Sequence, residues 1–114
     1  SSTDADSTTP PTPPENPNET TDLRAIIKGS TSLTLTYPRS YTTTITDKNN
    51  NEVAWDSTCS WNVVGEFDIE QSADGNKIEL YVENEDLIDE KFKLQVLINN
   101  VVNSEIIITI ASVF

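Results

Sequence analysis

The stretch STCSWNVVGEFDIEQSADGNKIELYVEN, Ser57 to Asn84, decides the fold. It alternates in steps of two, which is the side-chain period of a β-strand rather than of a helix. Cys59, Trp61 and Val63 share one face of a strand. Gly65 breaks the run. FDIEQ then places Phe67 and Ile69 inward and Asp68 and Glu70 outward. ADGN is the strongest hairpin signal in the chain, because Asp-Gly suits the positive φ of a type I′ turn. KIELYVE returns with Ile78, Leu80 and Val82 inward. Three short strands therefore surround one tryptophan, Trp61, which the alternation places at the centre of a core.

The same texture runs outward in both directions. LRAIIK forms a first strand and Gly29-Ser30 ends it. TSLTLTY places Leu33, Leu35 and Tyr37 on one face and stops at Pro38. SYTTTIT places Tyr41, Thr43 and Ile45 on one face, and DKNNNE follows as a polar connection. NEDLIDE interrupts the strands with a turn of helix. KFKLQVLI aligns Phe92, Leu94, Val96 and Ile98; NNVVN links it to SEIIITIASVF, where Ile106, Ile108 and Ile110 share a face. Seven to eight strands spaced about ten residues apart, with no amphipathic helix, predict an all-β, antiparallel β-sandwich. The expected core is Trp61 with Tyr41, Ile45, Ile78, Leu80, Phe92, Leu94 and Ile108.

Residues 1–22, SSTDADSTTPPTPPENPNETTD, have a different composition. They hold five of the six prolines and almost no residue that could enter a core. Such a segment reads as an extended, flexible linker, so the domain is expected over 23–114. The first residue is Ser rather than Met, which suggests a fragment of a longer protein or a processed product. No signal peptide is recognisable, and no apolar run approaches the ~18 residues that span a bilayer.

Charge narrows the function. Of the 19 acids, five lie in the first 22 residues, leaving 14 against all 7 bases in the folded part. A net charge of −7 repels phosphate backbones and anionic lipid, which argues against nucleic-acid and membrane partners. The chain has no histidine, so Ser-His and Cys-His catalytic pairs are excluded. The single cysteine rules out an internal disulfide, and its place on the Trp61 face reads as a small apolar residue. No catalytic residue and no cofactor is expected. DKNNNE resembles the opening of a calcium loop, but Glu52 and Thr58 stand where that loop needs Gly and Glu, so no metal site is expected.

One segment offers binding chemistry. NNNEVAWDS, Asn49 to Ser57, joins two strands and emerges at one end of a sandwich, where loops carry recognition residues. Trp55 offers a flat apolar face for a sugar ring, with Asn50, Asn51 and Asp56 able to hydrogen-bond its hydroxyls. The alternative is that Trp55 folds back with Val53 to cap the open end of the core.

The order IIKGSTSL, YTTTITDKNNNEV, Trp61, DGNKIELYVENEDLIDEKFKLQV and a closing IIITI strand resembles the bacterial Ig-like domains. It is most similar to those at the C-termini of tailed-phage structural proteins. The resemblance covers Ala25 to Val113; the DKNNNEV turn departs from it by placing Asn where the family has Gly. It implies an Ig-like sandwich without catalytic residues, displayed on a virion surface through its linker and attaching weakly to a glycan or protein of the bacterial surface. The alternatives are an Ig-like spacer or adhesin module of a bacterial cell-surface protein, or a domain that only packs against a neighbour.

Overall fold

The computed structural model describes residues 23–113. The expected linker over 1–22 lies outside the described residues, as does Phe114. Among the described residues nine strands follow one another: β1 (Arg24–Lys28), β2 (Ser32–Thr34), β3 (Arg39–Thr46), β4 (Glu52–Val53), β5 (Cys59–Val64), β6 (Glu70–Asp74), β7 (Lys77–Tyr81), β8 (Lys91–Ile98) and β9 (Val101–Ala111). A 3-10 turn, Glu85–Leu87, separates β7 from β8; the Asn84 side chain caps it by accepting the Asp86 N–H.

Two sheets form. The first has the order β1-β3-β7-β6, and the second β2-β9-β8-β5. β4 pairs with the end of β3. Since β1 occupies one edge of β3 there, β4 takes the other and prolongs the line of β7. Neighbours are antiparallel except β2 and β9, which run parallel. This is an Ig-like sandwich, with the leading strand divided so that β1 serves one sheet and β2 the other.

The strand count exceeds the expected seven to eight because two pieces, β2 and β4, are only 3 and 2 residues long. TSLTLTY does not continue to Tyr37. Thr36 takes a left-handed φ of 66°, and the Tyr37 N–H closes a turn on the Thr34 carbonyl. Tyr37 is left 59% exposed. FDIEQ is a strand only from Glu70 onward, although Ile69 still reaches the core. The hairpin turn is Gly75-Asn76, one residue later than Asp-Gly. Only Gly75 has positive φ, 59°, which is the II′ pattern with glycine first. NNVVN is a turn only at Asn99-Asn100, both left-handed at 55° and 66°, the I′ pattern; its last three residues already belong to β9.

The core has two lobes. The larger contains Leu33, Tyr41, Ile78, Leu80, Phe92, Leu94, Ile108 and Ile110; the smaller contains Ala25, Ile45, Val96 and Ile98. All the expected core residues except Trp61 are at most 2% exposed. Trp61 is only partly buried, and it packs against both lobes. The reason is topological. β5 is an edge strand, so its inward residues Cys59, Trp61 and Val63 have a neighbouring strand on one side only. Tyr41, fully buried on β3, takes the central place. Each such side chain contributes about 1.5–3 kcal/mol by burial.

Chain direction positions everything else. β1 enters at Arg24 beside Thr46. β9 runs parallel to the β1–β2 course and ends at Ala111 beside Thr34. The chain therefore enters the sandwich at one end and leaves β9 at the other.

Candidate functional site

At the entry end, β3 and β4 are joined by a tight hairpin. The Asn50 N–H bonds the Asp47 carbonyl and the Asp47 N–H bonds the Asn51 carbonyl, both at 2.9 Å. With Asn50 left-handed at φ 66°, this is a type I turn closed by a one-residue bulge. Asparagine tolerates that conformation, so the absence of glycine costs little. The Asp47 carboxylate accepts the N–H groups of Asn49 and Asn51 at 2.8 and 3.0 Å. These bonds, that of Asn51 first, hold Asp47 below the usual carboxylate range.

The segment after β4 is also locally bonded. Asp56 Oδ1 accepts the Thr58 hydroxyl at 2.6 Å and the Thr58 N–H at 2.9 Å. The hydroxyl, then the N–H, depresses the Asp56 pKa. Trp55 stacks on Trp61 with centroids 5.6 Å apart and an interplanar angle of 25°, and it packs on the smaller core lobe beside Val53 and Cys59. Trp55 and Asp56 thus sit in the segment leading into β5, while Asn50 and Asn51 sit at the hairpin tip. One indole face is taken by Trp61. This is the geometry of a cap on the core.

The opposite end carries a feature that sequence reading passed over. An open groove of about 320 Å³ is lined by Phe67, Asp68, Glu70, Tyr81, Val82, Glu83, Asn84 and Leu87. Phe67 is held edge-on against Phe92, with centroids 6.3 Å apart. Val82 is buried, and Leu87 packs against the larger lobe, so the floor is apolar and fixed. The Tyr81 hydroxyl donates to Glu83 Oε1 at 3.3 Å. Desolvation first, then the Glu83 carboxylate, pushes the Tyr81 phenol up. An apolar, aromatic floor with carboxylate and amide groups at the rim can bind a ring that has both apolar faces and polar edges. Part of the signal was in the sequence: KIELYVE places Glu79, Tyr81 and Glu83 at its outward positions, and an aromatic among outward acids is unusual for a purely solvated face.

No family model matches the sequence, and no curated protein matches it. Among solved structures the chain is similar to that described as "Structure of surface layer protein SbsC, domains 4-9". The two are 14% identical, with a TM-score of 0.53, over 78% of this chain and 16% of that one. At that identity the likeness is one of fold, and the chain corresponds to a small part of the longer structure.

Proposed function

We propose that the chain is a non-catalytic Ig-like accessory domain of a phage virion structural protein, attaching weakly to a glycan of the bacterial host surface. The observation that carries this reading is the polarity of the molecule. The chain enters at the Leu23 end, and the Phe67–Tyr81 groove opens near the other. A domain held by its N-terminal side presents that groove outward, while Trp55, at the held end, serves the core. Weak individual contacts suffice where many copies are displayed together.

A second reading places the same module on a bacterial cell surface. The likeness to surface-layer protein domains supports it, as does a chain that enters and leaves at opposite ends, which suits modules in series.

Retention of the full chain on purified host cell walls tests the glycan attachment common to both readings. Saturable retention that is lost when wall polysaccharide is stripped is expected, and a chain that stays in solution at all wall concentrations would overturn it. Antibody raised against the chain then separates the readings, labelling virions under the first and the cell envelope under the second.

A further inference from the structure

The groove at the far end does not stop at the corner. Two further depressions continue from it, of about 130 and 190 Å³, and each shares walls with the one before. Glu70 and Tyr81 line the first and second; Ser72 and Glu79 line the second and third. The register explains the continuity. Glu70 faces Tyr81, Ser72 faces Glu79 and Asp74 faces Lys77 across β6 and β7. Ile78 and Leu80 point into the core, so the alternate positions on β7 and their partners on β6 form the outward face.

The dimensions favour a linear occupant. From Glu70 to Asp74 the track covers roughly 13 Å at ~3.3 Å per residue, and the corner groove extends it. A compact small molecule would fill only one of the three depressions. The aromatic floor at Phe67 and Tyr81 suits a sugar ring, while the Ser72 hydroxyl suits ring substituents.

Charge selects the class of glycan. The track holds five carboxylates, Asp68, Glu70, Asp74, Glu79 and Glu83, and one base, Lys77. Like charges crowded on one ribbon repel. An anionic polymer would add to that repulsion, and a neutral one would leave it in place. A chain with positive charges at intervals relieves it along the whole track.

We propose that the β6–β7 track binds a linear polymer of amino sugars with free, protonated amino groups, one ring stacked on Tyr81 and the ammonium groups set against Glu70, Glu79 and Glu83. This rests on the glycan-attachment reading above and names the ligand class for its groove.

The test titrates the full, isotope-labelled chain with three probes: a β-1,4-linked glucosamine tetramer, its fully N-acetylated counterpart, and tetralysine. The glucosamine tetramer should shift the amide signals of Ser72, Glu79 and Tyr81. Its affinity should fall about tenfold or more between low and high salt, as screening of exposed charges requires. Tyr81→Ala and the exposed pair Glu70→Gln and Glu79→Gln should each weaken it at least fivefold; the Gln variants, on outward positions, should leave the melting temperature unchanged. Equal binding of the N-acetylated tetramer would overturn the amine requirement while leaving glycan attachment standing. Equal binding of tetralysine, insensitive to Tyr81→Ala, would overturn the proposal in favour of a plain acidic surface. Failure of both sugars alongside saturable cell-wall retention would overturn the amino-sugar class while leaving glycan attachment standing. Failure of both with no retention would overturn the attachment reading itself.

Discussion

Trp61 on β5 donates its indole N–H to the carbonyl of Gly75, 2.9 Å away in the turn between β6 and β7. The two residues belong to opposite sheets, so this bond ties the edge of one sheet to a hairpin of the other. Trp61 therefore holds the sandwich closed as well as filling space between its lobes. Trp61→Phe keeps most of the ring and loses the bond. It should cost about 1 kcal/mol. Trp61→Ala should cost about 3 kcal/mol, the low end for a core aromatic, because the side chain is only partly buried. Urea unfolding followed by far-UV circular dichroism checks both. Equal losses for the two variants would show that packing contributes nothing beyond the bond.

Trp55 makes the opposite test of its own two readings. Its stack on Trp61 and its contacts with the smaller lobe predict that Trp55→Ala lowers stability by about 2–3 kcal/mol. Retention on cell walls, measured below the melting transition, should be unchanged. A variant of full stability with weakened retention would instead make Trp55 a binding residue.

Gly29 lies against the ring of Tyr41. A Cβ added at Gly29 would sit 2.2 Å from Tyr41 Cδ2, and the backbone there has φ of +154°. Tyr41 cannot retreat, because it is fully buried and its hydroxyl donates to the Ser30 carbonyl at 2.5 Å. Gly29→Ala should cost about 2–4 kcal/mol, out of a total of roughly 5–13 kcal/mol for a domain of this size. A melting temperature within a degree of the parent would refute the clash.

Acid should weaken the domain through its loops. Asp47 and Asp56 both have pKa values below their ordinary ones. As pH falls through about 4, the unfolded chain takes up these protons first, so stability is held above that pH and lost below it. Asp47→Asn removes one such titration while keeping an oxygen that can accept the same N–H groups. The fall in melting temperature between about pH 5 and pH 2.5 should shrink in that variant. An unaltered fall would mean that the Asp47 carboxylate contributes nothing to acid sensitivity.

The sandwich was legible because period-two alternation survives wherever a strand has one buried face. β3, β7 and β8 show this, each with its inward residues as the spacing requires. What the spacing could not show is a strand's place in its sheet. β5 alternates as cleanly as β8, yet as an edge strand it only half-buries Trp61. Turn positions slipped by a residue or two because Asp-Gly and Gly-Asn are adjacent in Asp74-Gly75-Asn76, and the twist of the strands selects between them. Tyr37 alternates correctly but falls after Thr36, whose left-handed backbone no β-branched residue advertises. At the candidate site, the Trp55 loop drew attention because loops at sandwich ends are expected to bind. The Tyr81 groove escaped because it is assembled from the segment before β6, the outward face of β7 and the Asn84 corner, three pieces that only the fold brings together.

Asn103 explains how β1 is held at the point where the preceding segment joins the domain. The register between β8 and β9 slips there: Val96 faces Ser104 and Leu97 faces Val102, so Asn103 is the extra residue of a bulge. Freed from the ladder, its side chain crosses to the other sheet. Oδ1 accepts the Ala25 N–H at 2.7 Å, and Nδ2 donates to the Leu23 carbonyl at 2.9 Å. The amide thus stands in for a neighbouring strand along the outer edge of β1, whose other edge pairs with β3. Asn103→Ala leaves both backbone groups partly buried without partners and should cost about 1–3 kcal/mol. Asn103→Asp keeps the acceptor for the Ala25 N–H but turns a carboxylate oxygen toward the Leu23 carbonyl, so it should protect the Ala25 amide better than Asn103→Ala without restoring full stability. Hydrogen exchange gives the local readout: the Ala25 amide should exchange at least tenfold faster in Asn103→Ala under conditions where β8 amides, deep in the second sheet, are little changed. Equal acceleration everywhere would show only a global loss of stability. An unchanged Ala25 rate would show that the bulge does not fasten β1.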